Sequence, residues 1–97
     1  MEYKELHEIL TAEQIKELRE TVKELRKKKI APLDPEFTKA LREIFGKYRE
    51  ELLSKGIDSD YLAFAVSFVL SKLPEDIWEQ TLKISEEKAK KKLEGAV

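Results

Sequence analysis

Three features of this 97-residue sequence predict an all-α protein, an up-down antiparallel four-helix bundle with a short extra helix at its N-terminus. Apolar residues recur at three- and four-residue spacing along most of the chain, the period of a half-buried helix. Helix-start and helix-stop residues bracket each such stretch. The links between stretches are short, which favours antiparallel neighbours. No alternating stretch is bounded by hairpin turns and no internal repeat occurs, so residues 1–97 read as one domain.

The elements follow in order. Residues 2–9 form a short leading helix with Tyr3 and Leu6 on the side shared by Leu10. Thr11 and Gln14 in TAEQ make a capping box, and Leu10 and Ile15 occupy the staple positions around it. The helix they start, about 12–29, carries a narrow stripe of Ile15, Leu18, Val22 and Leu25. It ends in Arg26, Lys27, Lys28 and Lys29, and Pro32 prevents its continuation. Asp34 caps the next helix, about 35–55, with Pro35 at its first position. Its stripe is Phe37, Leu41, Ile44, Phe45, Tyr48 and Leu52, and Gly56 closes it as a left-handed residue with Ile57 packing back. Gly46 falls opposite the stripe, where glycine costs about 1 kcal/mol relative to alanine. It is either a tolerated local weakness or a place where another chain or a ligand comes close. Ile57 and Asp58 start the helix of about 59–73. Pro74 starts the last, about 74–93, with Ile77, Trp78, Leu82, Ile84, Ala89 and Leu93 as its apolar residues and lysines at its end. Residues 94–97 should fray.

The stretch YLAFAVSFVL, residues 61–70, is apolar nearly all round. At about 100° per residue, Leu62, Val66 and Val69 share one side, and Tyr61, Ala65 and Phe68 an adjacent one. Phe64 lies beyond these, and the small residues Ala63, Ser67 and Ser71 fill the remainder. A four-helix bundle asks for only one stripe per helix. The ordinary expectation is burial, with the N-terminal helix covering the second side. The alternative is a surface for a partner.

Composition excludes several function classes. The 19 Lys+Arg nearly cancel 20 Asp+Glu, and a net charge of −1 argues against a dedicated nucleic-acid binder. The basic runs 26–29 and 88–92 are helix C-termini, where cations complement the dipole. Without cysteine there is no disulfide framework, thiolate nucleophile or Cys-type zinc site. MEYKELHEIL has no signal-peptide pattern, and the apolar run is shorter than the ~20 residues of a membrane span. A soluble, cytoplasmic protein without membrane attachment is expected. His7, the single histidine, has no sequence partner that completes a ligand set or a catalytic pair, and reads as a half-exposed surface residue. HExxH, Gly-rich phosphate loops, EF-hand loops and nucleophile elbows are missing. The paired carboxylates, such as Asp58 with Asp60 and Glu86 with Glu87, sit at helix starts or four residues before lysines. No enzyme activity, metal, cofactor or small-molecule ligand is inferred.

Every local rule agrees along LTAEQIKELRETVKELRKKK and LDPEFTKALREIF: capping box, staple, proline at the first position, lysines at helix ends. In this, residues 11–57 and 74–93 resemble computationally designed helical bundles. The resemblance implies a non-catalytic scaffold, most naturally one that binds protein. The same regularity predicts melting above ~65 °C, the upper edge for ordinary domains. Aromatic side chains dominate binding hot spots. The candidate contacts for a protein partner or for self-association are therefore Tyr61, Phe64, Phe68 and Trp78, with Phe45 and Tyr48 as lesser candidates. Two alternatives stand beside this one: a purely structural helical domain with all these aromatics in its own core, and a small nucleic-acid-binding regulatory protein.

Overall fold

The stripe pattern appears as α-helices throughout. The structure, a computed structural model, describes residues 6–94, with side chains as far as Lys92. Six α-helices occur there, α1 Leu6–Ile9, α2 Ala12–Lys27, α3 Pro35–Gly46, α4 Arg49–Ser54, α5 Ser59–Ser71 and α6 Trp78–Glu94, with a 3-10 turn at Glu75–Ile77 before the last. No strand occurs among the described residues. Residues 2–5 of the expected leading helix and residues 95–97 of the expected frayed tail lie outside the described range.

The local signals work as written. Thr11 Oγ1 accepts from the Gln14 backbone N–H at 3.2 Å while Gln14 Oε1 accepts from the Thr11 N–H at 2.9 Å. Leu10 and Ile15, the staple pair, are both buried. Asp34 and Asp58 each accept from the backbone N–H two residues on, at 2.9 and 3.2 Å. At the end of α4, Gly56 holds φ at +76°. Its N–H reaches Leu53 O and the Ile57 N–H reaches Leu52 O, both at 2.9 Å, which is the Schellman closure. The end of α2 closes the same way, with Lys29 N–H on Arg26 O and Ile30 N–H on Leu25 O. There the left-handed residue is Lys29, at φ 60°, so a side chain sits where glycine is preferred.

Several boundaries differ from expectation, and the helix expected over 59–73 ends at Ser71. The helix expected over 35–55 is broken: the Lys47 and Tyr48 amides bond three residues back, and regular pairing resumes only with Leu52 N–H on Tyr48 O. The break falls at Gly46, the weakest helix former of the stretch. A Cβ added to Gly46 would meet nothing within 4 Å, so close approach of another segment is not its reason. The last helix starts later than Pro74, because Pro74 keeps an extended ψ of 138° and the first turn closes in 3-10 fashion, Ile77 N–H to Pro74 O at 3.1 Å. The helix expected to reach residue 29 ends at Lys27, its last two residues being taken up by the left-handed cap.

Packing joins α2 to α6 and α3 to α5, with α3 also against α2 and α4 against α5. The core runs through all of them: Leu18 and Val22 of α2, Phe37, Leu41 and Phe45 of α3, Leu62 and Val66 of α5, Trp78 and Leu82 of α6 are sealed from solvent. Phe37 meets Trp78 edge to face, with ring centroids 6.0 Å apart. On α6 the core line is Trp78, Leu82, Glu86 and Ala89, whereas Ile84 of the expected stripe is exposed, as is Ile77 in the turn before it. Glu86 is 5% exposed and accepts from Arg19 Nε of α2 at 3.0 Å, tying the two helices together by a charge pair. The signal was present in the spacing: Glu86 lies four residues after Leu82 and three before Ala89, on the apolar stripe.

Candidate functional site

Among the described residues, α5 is the helix that leaves the most large apolar side chains exposed. Its buried side consists of Ser59, Leu62, Ala63, Val66, Ser67 and Leu70. This cuts across the side shared by Leu62, Val66 and Val69: Val69 is only half-buried, and the small residues Ala63 and Ser67 face the interior. Ser67 is 2% exposed, and α5 packs against α3. Ser59 Oγ and Ser67 Oγ, both buried, have no hydrogen-bond partner among the described residues.

Turning Ala63 and Ser67 inward turns three aromatics outward. Tyr61 is 45% exposed, Phe64 56% and Phe68 45%. The expectation that the N-terminal helix would cover this second side does not hold among the described residues, because α1 packs on α6 and α2. Phe64 and Phe68, one helical turn apart, stack with centroids 6.2 Å apart and planes 21° from parallel. Lys72 Nζ lies over the Phe68 ring, 4.7 Å from its centroid, a cation–π contact that closes the C-terminal end of the row. At about 200 Å2 per aromatic side chain, these exposures leave about 300 Å2 of contiguous ring surface, the size of the largest apolar patch on a typical monomer.

The other candidate contacts lie elsewhere. Trp78 is 4% exposed and its Nε1–H donates to Leu73 O at 3.1 Å, so both its ring and its polar atom are satisfied inside the fold. Phe45 is fully buried between α3 and its neighbours. Neither reaches the surface, because each sits on the inward stripe of its helix. Tyr48 is half-buried at the break between α3 and α4, where its hydroxyl donates to Glu17 of α2, and Lys47 donates to the same carboxylate. Those two hydrogen bonds, Lys47 first, hold the Glu17 carboxyl below the usual range. Burial, then the bond to Glu17, pushes the Tyr48 phenol up to about 12. Tyr48 thus fastens α2 to the break and is not part of the α5 surface.

The remaining surface offers less. An open cleft of about 490 Å3 is lined by Arg26, Ile30, Pro32, Leu73, Glu75 and Trp78. Lys29 lines it too, and its other cation is engaged: Arg26 donates to Glu79 at 3.1 Å and to Glu75 at 3.2 Å. Lys27 and Lys90, from the two basic runs, stand 3.8 and 3.7 Å from Glu24 and Glu86. His7 is half-buried on α1. Among the described residues, no group of three His, Cys, Asp or Glu side chains is placed to hold a metal ion, and no helix is long and apolar enough to cross a membrane. The chain matches no protein-family model, no curated protein and no solved structure.

Proposed function

We propose that this chain is a stable, soluble, non-catalytic scaffold that binds protein through the exposed aromatic side of α5. In this reading α2, the α3–α4 arm, α5 and α6 run up and down as a four-helix bundle, and α1 is laid against α6 and α2. The observation that carries it is the contiguous exposure of Tyr61, Phe64 and Phe68 on a helix whose opposite side is already sealed. Exposed aromatics at this density are unfavourable in water and are what a binding hot spot requires. Leu33, Leu53, Ile77 and Ile84 are also exposed, but they belong to four different parts of the chain. The design-like regularity of the other helices supports the same division, a rigid frame and one irregular face. Nucleic acid is disfavoured as the partner by the net charge of −1 and by the carboxylates that engage Arg26.

The test is a comparison of the wild-type chain with Phe64→Ala/Phe68→Ala. Immobilised wild type retains a protein, its own kind or another. The double variant, equally helical by circular dichroism, loses it. Equal retention by both would remove α5 from the function.

A further inference from the structure

The exposed side of α5 carries a row that reads the same in both directions once charge is reversed. Asp60, Phe64, Phe68 and Lys72 follow one another at four-residue steps, so they form one ridge along the helix surface. All four are exposed. The ridge is acidic at the helix N-terminus, basic at the C-terminus, and holds the two stacked rings between. We propose that the occupant of this face is a second copy of the chain, packed antiparallel, α5 against α5, about a two-fold axis between Phe64 and Phe68.

The argument is one of self-complementarity. A two-fold axis midway along the ridge sets Asp60 of each copy against Lys72 of the other and Phe64 against Phe68, at both ends at once. Helices that pack by their four-residue ridges keep those ridges side by side along the contact, at an interaxial distance of about 8–10 Å. The row spans about 18 Å at 1.5 Å per residue, three helical turns, long enough for such a crossing. A parallel arrangement would set Asp60 against Asp60 and Lys72 against Lys72, and would align the helix dipoles. The chemistry of the ridge therefore selects the antiparallel one. That contact uses the same patch on both partners, so it closes at two copies and does not propagate. The net charge of −1 puts little repulsion between copies. The two exposed rings of the ridge supply about 200 Å2 of the roughly 800 Å2 per partner of a standard interface, so they form its centre, and a weak, concentration-dependent dimer is expected.

This inference rests on the proposed role of the α5 face, and charge reversal separates the two. Sedimentation of the full chain is followed over a wide concentration range. Wild type passes from monomer to dimer. Phe64→Ala/Phe68→Ala shifts the dissociation constant at least about tenfold toward monomer, as expected when central aromatic anchors are truncated. Asp60→Lys alone and Lys72→Asp alone each weaken association, since each sets like charges together at both ends of the contact. The double exchange Asp60→Lys/Lys72→Asp restores it to near the wild-type constant. Circular dichroism checks that each variant keeps its helix content. Monomer at every concentration overturns the dimer but leaves the α5 face to a different protein, which the retention experiment reads independently. A dimer that survives loss of both phenylalanines overturns the dimer contact proposed here, and the proposed role of the face as well if retention is also unchanged. A dimer lost with the rings but not recovered by the double exchange overturns the antiparallel register.

Discussion

Phe45 and Phe64 are the same side chain on helices that pack against each other, yet Phe45 is fully buried and Phe64 is 56% exposed. The difference lies in what surrounds each on its own helix. Around α3 the outward positions are Glu36, Lys39, Arg42 and Glu43, all exposed, so only one rotation of that helix buries its apolar residues. Around α5 nearly every side is apolar, and hydrophobicity alone does not choose among rotations. Side-chain volume separates the sides instead: Ala63 and Ser67 lie inward beside Leu62, Val66 and Leu70, and the bulky rings lie outward. A core position on α3 is thus specified by contrast, and one on α5 by size.

The largest expected effect tests the buried half of that contrast. Phe45→Ala should cost about 3–5 kcal/mol, the usual loss for a core phenylalanine, read as a shift in the denaturant midpoint at unchanged slope. A cost under about 1 kcal/mol, as at surface positions, would dissolve the distinction between the two helices.

Tyr48 lies between the extremes, with its ring half-buried and its hydroxyl on Glu17. Its phenol is pushed up to about 12 in the fold, whereas an unfolded tyrosine titrates near ~10. The folded chain therefore holds the proton to higher pH than the unfolded chain does. The associated stability is complete below pH ~10 and is lost as pH climbs through the folded value. Denaturation of wild type and Tyr48→Phe on either side of pH ~10 should show a steeper alkaline loss in wild type. Parallel curves would mean that the hydroxyl is not sequestered.

Smaller effects are expected on α5 itself. Ser67 Oγ is buried without a hydrogen-bond partner, so Ser67→Ala removes a desolvated hydroxyl at little change in volume. The variant should match wild type or gain up to about 1 kcal/mol, and a clear loss in chemical denaturation would show that the hydroxyl is satisfied in solution. Phe64→Ala should change stability least, by under about 1 kcal/mol, while weakening association. If it behaves like Phe45→Ala, the ring is core and the α5 face is not a surface.

Much of the fold was legible in the sequence because its signals are local. Thr11 with Gln14, Asp34 with Pro35, and Gly56 with Ile57 each act within a few residues, and each appears where its spacing places it. The break at Gly46 was visible as an irregularity, but its meaning was not, since a glycine says nothing of whether the space beside it is open. The candidate site was legible as a list of aromatics and illegible as a surface. Residue type alone nominates Trp78 and Phe45, while their burial depends on which helices face them. In the sequence Glu86 pairs with Lys90 four residues on, but its nearer partner, Arg19, lies 67 positions distant in the chain.

The interruption between α3 and α4 also divides the chain in time. α4 is six residues long and has one buried side chain, Leu52, whereas α3 buries Phe37, Leu41, Ile44 and Phe45. A continuous helix would have to open from its ends, but here the turn at Lys47 and Tyr48 is a ready-made internal end. The amides of α4 should therefore exchange with solvent through a partial opening that leaves α3 closed. Residues 49–54 would then take up deuterium well before the α3 amides do, and the Gly46 region would be the hinge of that opening.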